Sequence, residues 1–365
     1  MVPYNCPTIE QDDADYVSKV LLHSQNLSGL SPVVQEFEEK LAEYVGYKYA
    51  VAVSSGTAAL ELAIRGMYLI RGTIDIVSTP LTFVATTTAA LDGAAGASLD
   101  YIGRRIAYQD VDGRTLNMQP PPTDARQLWL PIDFAGLPAE EITTAYVHAY
   151  LLPDSLRPML IVDSAHSLGA KLSNLPSMRT FSFHAVKSIT TGEGGAVVTN
   201  DRTEYDVMRQ IRNHGRIADG TVYHLNCRNY RMSAVNAALG ISQLRKIDKF
   251  VDIRRGIAAR YAKELPSCVQ HPVWSDNHAW HLYVIRHSRR DEIKQLLADE
   301  YGIEAQINYR LTFTYPTLTR FRASVPNAEK ASLEVLSIPI FPKLTNDCQT
   351  YVINALDKIC QKLKL

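Results

Sequence analysis

Strong charge of either sign is absent from this 365-residue chain, which has 38 lysines and arginines against 38 aspartates and glutamates. A balanced chain has no overall attraction to nucleic acid or to an anionic membrane, so an anionic ligand must be held by a local site. The sequence also lacks an apolar run of the roughly 20 residues that cross a bilayer. Its N-terminal segment carries acids where a secretion signal needs a basic start and an apolar core. We therefore expect a cytoplasmic protein with no nucleic-acid or membrane partner.

Cysteine is scarce as well, with five residues at positions 6, 227, 268, 348 and 360. The number is odd and the spacing irregular, and no two cysteines are separated by two residues. This pattern argues against a disulfide framework and against a zinc site. We expect five reduced thiols and no bound metal.

What the chain does have is an ordinary globular composition, with 46% hydrophobic and 21% charged residues. From about Ser31 to Ile211, amphipathic helical patterns alternate with short apolar runs. Helices are predicted to begin near Pro32 and Thr57 and to cover Phe83–Leu91. Strands are predicted at Tyr49–Ser54, Ile74–Ser78, Leu128–Phe134, Met159–Asp163, Thr180–Phe183 and Ala196–Thr199. Such alternation predicts an α/β fold with a mostly parallel central sheet, flanked by helices and binding ligands at the carboxyl ends of its strands.

The pattern changes after about Arg231. The segment Met232–Leu265 predicts one or two long helices, and further helices are predicted near Asp291–Tyr301 and over Asp347–Leu363. Together with the apolar segment His281–His287 they indicate a smaller α+β domain. We predict a large domain at residues 1–250 and a small C-terminal domain at residues 251–365.

Two strand ends could carry chemistry. Gly56 and Thr57 start a helix after a strand, where unpaired amides suit a phosphate, although ordinary helix capping gives the same pattern. Asp163 ends an apolar strand, where a carboxylate either caps the next helix or keeps a heterocyclic nitrogen protonated. His166 fits a structural histidine and a ring-contacting one equally well.

Lys187 lies between an apolar stretch, residues 181–184, and glycines at positions 192, 194 and 195. Most lysines are solvated, but these neighbours favour a partly desolvated ammonium with room for a planar group beside it. Such a lysine has a lowered pKa and is a competent Schiff-base nucleophile. Ser182 could add a hydroxyl to an anion. A phosphate cradle, the aromatic Phe83, an aspartate, a serine and a lysine, in this order, are the parts of a pyridoxal phosphate site.

At this point the chain resembles the DegT/StrS sugar aminotransferases, of the fold type I class of pyridoxal-phosphate enzymes. The resemblance runs from FEEKLAEYVGYKYAVAVSSGTAALELAI to SIPIFPKLT and is carried by TPLTFVAT, PIDFAGLPAE, VDSAHSLGA, SFHAVKSITTGEGGAVVTND, RNHGR, NYRMSAVNAALGISQL, AWHLYVI and VPNAE. It implies transfer of an amino group from L-glutamate to a keto group of a nucleotide-linked deoxysugar, for amino-sugar and surface-polysaccharide biosynthesis. The stretch around Lys187 is closest to members that act on 4-keto sugars of the UDP-N-acetylhexosamine type, with C3 as the alternative position.

The resemblance also implies a role for individual residues. Lys187 would bond covalently to the cofactor, pyridoxal 5'-phosphate, and move the reacting proton, Asp163 would pair with the pyridine nitrogen, and His166 would lie near the ring hydroxyl. The remaining cofactor contacts would come from Gly56, Thr57, Phe83, Ser182 and, from the other subunit of a homodimer with shared sites, Asn229.

Substrate contacts are expected at Arg231, Asn308 and Tyr309, and Asn308 stands where relatives often have a histidine. Two alternatives stay open. A dehydratase of the same fold would carry a histidine in place of Lys187, and a non-catalytic sensor would bind the cofactor or a sugar nucleotide without turning it over.

Overall fold

Seven strands form the central sheet of the structure, a computed structural model that describes residues 1–72, 75–95, 106–123, 126–153, 156–173, 178–216, 220–222 and 227–364. The strands are β1 (Tyr49–Val53), β2 (Ile76–Ser78), β3 (Ile106–Tyr108), β4 (Leu128–Leu130), β5 (Met159–Asp163), β6 (Met178–Ser182) and β7 (Gly195–Thr199). Their order is β1-β7-β6-β5-β4-β2-β3. Only β7 runs antiparallel to its neighbours among these strands, so the predicted mostly parallel sheet is confirmed.

Helices pack on both faces of this sheet because successive strand residues point to opposite sides. On β1, Val51 and Val53 join a cluster with α3 (Gly56–Arg71), α4 (Val84–Ala95) and α6 (Arg202–Arg212). Ala50 and Ala52 join a cluster on the other face with α2 (Pro32–Val45) and α7 (Ala234–Leu244). Two more helices, α1 (Gln11–His23) and α5 (Glu140–Ala149), complete the helices described up to α7.

The start of α2 shows how local chemistry sets these elements. The Ser31 hydroxyl accepts a hydrogen bond from the amide of Val33 at 3.2 Å, and proline occupies the first helical position, as the sequence predicts. The buried face presents Phe37 and Leu41, and Gly46 ends the helix in the left-handed region at φ 74°.

The C-terminal part has its own core around a two-stranded antiparallel sheet. Its elements are α8 (Ile247–Glu264), β8 (Tyr283–Arg286), α9 (Arg290–Tyr301), α10 (Pro326–Glu334), β9 (Val335–Ile338) and α11 (Asn346–Leu363). Val2 belongs to this core and pairs with Ile303. The first turns of α8 pack on the central sheet's cluster, whereas Ile257 and Tyr261 pack in the C-terminal core. The domain boundary near residue 250 stays a prediction, and residue 250 lies on the helix that contributes to both cores.

The expectation of five reduced thiols is wrong. Cys268 and Cys360 are joined by a disulfide, with their Cα atoms 6.8 Å apart, while Cys6, Cys227 and Cys348 are not disulfide-bonded. The two half-cystines are separated by 92 positions and meet because α11 packs into the C-terminal core. Spacing along the chain carries no signal for such a pairing.

Several predicted boundaries shift. The strand expected over residues 128–134 ends at Leu130; Ile132 makes an isolated bridge to Asp163, and a short 3-10 helix begins at Phe134. The strand expected from Ile74 begins at Ile76, and residue 74 itself lies outside the described residues. None of the described helices is long and apolar enough to span a membrane.

Candidate active site

A cavity of about 350 Å³ lies at the carboxyl ends of the parallel strands, where sheets of this kind bind ligands. It brings together nine of the predicted site residues: Gly56, Thr57, Phe83, Asp163, His166, Ser182, Lys187, Asn308 and Tyr309. A larger cavity of about 710 Å³, beside Met159 at the opposite end of β5, contains none of them. The chemistry of the residues therefore identifies the smaller cavity as the site.

The N-terminus of α3 forms one wall of this cavity. Ser55 caps the helix by accepting from the amide of Ala58 at 3.1 Å, and the next two residues face the cavity. A side chain at Gly56 would bring its Cβ within 2.8 Å of the Ser182 Cβ, and one at Gly195 would come within 2.3 Å of the Ser55 carbonyl oxygen. Glycine at both positions thus lets the helix start, β6 and β7 meet closely. The result is a positive helix end beside a serine, which fits a phosphate.

The glycines that follow Lys187 have a different role from the one predicted. None of the three lines the cavity, so they do not provide room beside the lysine. Gly192 lies in the left-handed region at φ 77°, and a Cβ on Gly194 would come within 2.2 Å of the Thr191 hydroxyl. These glycines allow the loop between β6 and β7, which carries Lys187 and is called the lysine loop below, to turn back closely on its own residues.

Asp163 is buried at the end of β5 and holds two hydrogen bonds. One carboxylate oxygen accepts from the Thr86 hydroxyl at 2.8 Å and the other from the Ala165 amide at 3.1 Å. Burial raises the pKa of this carboxyl, while the hydrogen bonds and the nearby Lys187 charge oppose the rise. Thr86 was not singled out in the sequence, although it lies three residues after Phe83, in the first turn of α4.

Lys187 lies in the loop between β6 and β7, with its side chain half-buried in the cavity. Burial lowers the pKa of its ammonium to about 8, and the negative charge of Asp163 limits the decrease. About a tenth of this amine is therefore unprotonated at pH 7, far more than for an ordinary lysine with a pKa of 10.5, and the unprotonated form is the one that acts as a Schiff-base nucleophile. The expectation of a desolvated lysine is confirmed.

His166 lines the cavity and carries a neutral imidazole. Burial holds its pKa well below the ordinary value, and the Lys187 charge lowers it further. Its Nε2 lies 3.0 Å from the Tyr309 hydroxyl, while Nδ1 is buried without a described hydrogen-bond partner. Tyr309, predicted as a substrate contact, is thus bound to a predicted cofactor contact.

A buried ion pair that sequence reasoning missed anchors the turn that carries His166. Asp133 pairs with Arg179 at 3.0 Å and accepts from the hydroxyls of Ser164 at 2.8 Å and Ser167 at 2.6 Å. Nothing local to Asp133 signals the pairing, because its arginine comes from β6 and its serines from the turn after β5.

The structure does not bring Asn229 or Arg231 into the cavity. Asn229 is exposed and bridges to Asn213, whose side chain also accepts from Arg231 at 2.7 Å. The cap of α7 is Ser233, so Asn229 does not serve that helix. Both residues lie beside the end of β1, outside the described walls of the chain's own site.

Comparison with known proteins covers nearly the whole chain. Residues 7–357 match the profile described as the DegT/DnrJ/EryC1/StrS aminotransferase family. The UDP-4-amino-4,6-dideoxy-N-acetyl-beta-L-altrosamine transaminase of Campylobacter jejuni serotype O:23/36 is 32% identical, with 100% of this chain and 99% of that protein covered. The GDP-perosamine synthase of Escherichia coli O157:H7 is 30% identical, with 98% of each covered. Among solved structures, Helicobacter pylori PseC, an aminotransferase involved in the biosynthesis of pseudoaminic acid, has a TM-score of 0.87 at 26% identity, covering 98% of this chain and 99% of that one.

Proposed function

The chain belongs to the DegT/DnrJ/EryC1/StrS aminotransferase family, and from this premise we propose that it transfers an amino group from L-glutamate to the C4 keto group of a nucleotide-linked 6-deoxyhexose. One observation carries the proposal: Lys187, with a lowered pKa, shares a cavity with a buried Asp163 and the N-terminus of α3. Two relatives support the substrate class by their names, since one is a UDP-4-amino-4,6-dideoxy-N-acetyl-beta-L-altrosamine transaminase and the other a GDP-perosamine synthase.

The cavity fits pyridoxal 5'-phosphate. Gly56, Thr57 and Ser182 converge where a phosphate would accept helix amides and a hydroxyl. Phe83 is 57% exposed yet lines the cavity, so an aromatic face is available to a planar ring. The buried Nδ1 of His166 is free to contact a ring substituent. When bound, this cofactor supplies an electron sink for the carbon that loses or gains a proton.

Asp163 and Lys187 would each control one proton, Asp163 the proton on the ring nitrogen and Lys187 the proton at the reacting carbon. The Asp163 carboxyl at the end of β5, whose charged form is favoured by the hydrogen bonds from Thr86 and the Ala165 amide, would hold the cofactor's ring nitrogen in its protonated form. Lys187 would hold the cofactor covalently, and its free amine would take up or give back the proton at the reacting carbon, because a pKa of about 8 suits both directions near neutral pH.

We propose that the site is completed by a second copy of the chain. Asn229 and Arg231 lie outside the chain's own cavity, on a surface where Leu27 and Leu30 are 40% and 57% exposed. Leu30 follows Gly29, where a Cβ would come within 2.3 Å of the Arg231 Cβ, so the apolar and polar residues are neighbours. A homodimer would cover the leucines and bring Asn229 to its partner's phosphate. Mixing inactive Lys187→Ala with inactive Asn229→Ala should then restore activity, whereas an active monomer in light scattering would contradict the dimer.

The chemistry is tested with the cofactor loaded as pyridoxamine phosphate. A UDP- or GDP-linked 4-keto-6-deoxyhexose should return the pyridoxal absorption band and yield an amino sugar with the nitrogen of labelled glutamate in further turnovers. The free ketosugar should be much slower, because binding energy from the remote nucleotide orients the reacting carbon. Free keto acids reacting far faster than every nucleotide sugar would refute the substrate class.

The assignment of the lysine has its own test. Borohydride reduction of the resting holoenzyme should fix the cofactor on the peptide that contains Lys187. The same treatment of Lys187→Ala should leave no labelled peptide, and a label on a different lysine would refute the assignment.

A further inference from the structure

Two consecutive residues near the N-terminus each contact the residue that directly precedes a site residue. The side-chain amide of Asn5 donates to the carbonyl oxygen of Val186 at 3.0 Å, next to Lys187. The Tyr4 hydroxyl donates to Oδ1 of Asn308 at 3.0 Å, next to Tyr309. The first contact reaches the lysine loop after β6, and the second reaches the segment between α9 and α10.

The segment that carries these contacts, residues 2–8, is held at both ends. At its start, the Val2 amide donates to the Gly302 carbonyl at 2.9 Å, and the Tyr4 amide donates to the Glu304 carboxylate at 3.1 Å. At its end, the Thr8 carbonyl accepts from the buried Gln243 side chain at 2.9 Å. We name residues 2–8 the N-terminal strap. Because both ends are bonded, Tyr4 and Asn5 occupy defined positions between the two parts of the site.

The two contacts lead to two different segments of the cavity wall. Val186 and Lys187 both line it, and so do Asn308 and Tyr309. The Tyr309 hydroxyl continues the second contact to His166 at 3.0 Å. The strap therefore connects the lysine loop to Tyr309 and His166, which line the same cavity.

We propose that Tyr4 and Asn5 are positioning residues of the active site, Asn5 by holding the backbone beside Lys187 and Tyr4 by holding the segment that orients Tyr309 against His166. The inference rests on the proposed function, because it takes Lys187 and His166 as site residues. Without Asn5 the lysine loop loses a backbone tether, and the Lys187 side chain has more freedom to leave the buried position. Without the Tyr4 hydroxyl, Asn308 loses its hydrogen-bond donor.

The surroundings of Lys187 make its amine a reporter of this positioning. The ammonium has charged and polar neighbours from several elements: Asp163 acts on it through space, its own charge lowers the pKa of His166 and His281, and Tyr309, His184 and Glu193 line the same cavity. Asp163 favours the charged form, and burial opposes it. A lysine that moves toward solvent recovers its hydration, so its pKa rises from about 8 toward the ordinary 10.5.

The first experiment measures Lys187 in the apoprotein. An amine-reactive reagent is applied over a pH series, and labelling of the Lys187 peptide is followed by mass spectrometry. Asn5→Ala and the similarly sized Asn5→Leu, which carries neither a donor nor a charge, should move the labelling midpoint upward from about pH 8. The matched control is Asn200→Ala, which removes the side-chain acceptor of the Lys48 amide away from the site and should leave the midpoint unchanged. A midpoint in both Asn5 variants equal to that of Asn200→Ala overturns the role of Asn5.

The second experiment tests Tyr4 in the holoenzyme. Tyr4→Phe should lower kcat about 3- to 10-fold with little change in KM for the nucleotide sugar, the range expected for one lost hydrogen bond. Tyr351→Phe, which loses an exposed bond to the Tyr301 carbonyl, is the control. Because Tyr4 acts through Tyr309, Tyr4→Phe combined with Tyr309→Phe should be no slower than Tyr309→Phe alone. A double variant that loses the product of both single losses overturns the role of Tyr4.

The two experiments also distinguish a failure of this inference from a failure of the proposed function. Labelling of the apoprotein uses neither cofactor nor sugar, so it decides the role of Asn5 even where no nucleotide sugar is turned over. Failure of the substrate screen with a shifted Lys187 midpoint would refute only the proposed reaction.

Discussion

The hydrogen bond from Thr86 to Asp163 allows a direct test of how the site favours the charged form of a buried carboxyl. A hydroxyl has one proton, and the Thr86 proton goes to Asp163 at 2.8 Å, so the 2.8 Å contact between Thr82 and Thr86 must use the proton of Thr82. Thr86→Val keeps the shape of the side chain and removes the only donor that this residue offers to the buried carboxylate.

The size of the effect follows from the charge of the acceptor. A hydrogen bond to a charged group contributes about 1.5–3 kcal/mol, against about 0.5–1.5 kcal/mol for a neutral pair. At neutral pH, Thr86→Val should therefore lower the free energy of unfolding of the apoprotein by about 1.5–3 kcal/mol. The kcat of the holoenzyme should fall with little change in KM for the sugar, because Asp163 acts on the cofactor.

The loss should depend on pH. Burial places the folded pKa of Asp163 above its unfolded value of 3.8, so the folded carboxyl binds its proton first as the pH falls. The difference in free energy of unfolding between wild type and Thr86→Val should thus be largest at a pH above the folded pKa of Asp163. It should become smaller as the pH falls through that pKa. Urea unfolding from about pH 8 down to about pH 4 measures this. Thr86→Ser keeps the donor and should retain the pH dependence of the wild type. An equal loss at every pH, or none, would refute the reasoning.

Three further results are expected. Gly195→Ala should destabilise the protein by about 1–3 kcal/mol and weaken cofactor binding, because its Cβ would come within 2.3 Å of the backbone at the start of α3; urea unfolding and cofactor titration measure both, and unchanged values would contradict the close packing. Tyr309→Phe should lower kcat by removing the hydroxyl that contacts His166, and a changed KM with an unchanged kcat would instead indicate a substrate contact. Asp163→Asn should move the labelling midpoint of Lys187 in the apoprotein below about pH 8, since the negative charge that opposes burial is removed, and an upward shift would contradict this sign.

The local patterns of the sequence were sufficient for the elements that carry the site. The strand that ends at Asp163 was predicted with the bounds that the structure shows, because a run of four apolar residues, Met159 to Val162, ends in a carboxylate. The helix cap at Ser31 and the start of α3 beside Gly56 followed from capping chemistry that acts within a few residues. In contrast, β3 was not predicted, since its three residues, Ile106–Tyr108, are too few to show a period.

Contacts between distant segments gave no such signal. The disulfide between Cys268 and Cys360 and the ion pair between Asp133 and Arg179 join residues that are neighbours only after helices and strands have packed. The same holds for Asn5 and Val186, which are 181 positions apart. Periodicity and capping depend only on a residue's own turn or strand, so they do not predict contacts between residues that are distant in the sequence.

By itself, therefore, the sequence determined the kind of site: the order of a helix start after a strand, an aspartate at a strand end and a lysine after a strand specifies which groups face the carboxyl edge of a parallel sheet. Tertiary structure alone decided how those groups behave. The lowered pKa of Lys187 and the raised pKa of Asp163 depend on burial and on each other's charge, which arise only when β5, the lysine loop and α4 enclose one cavity. Desolvation is a property of the packed surroundings, and no stretch of residues carries it alone.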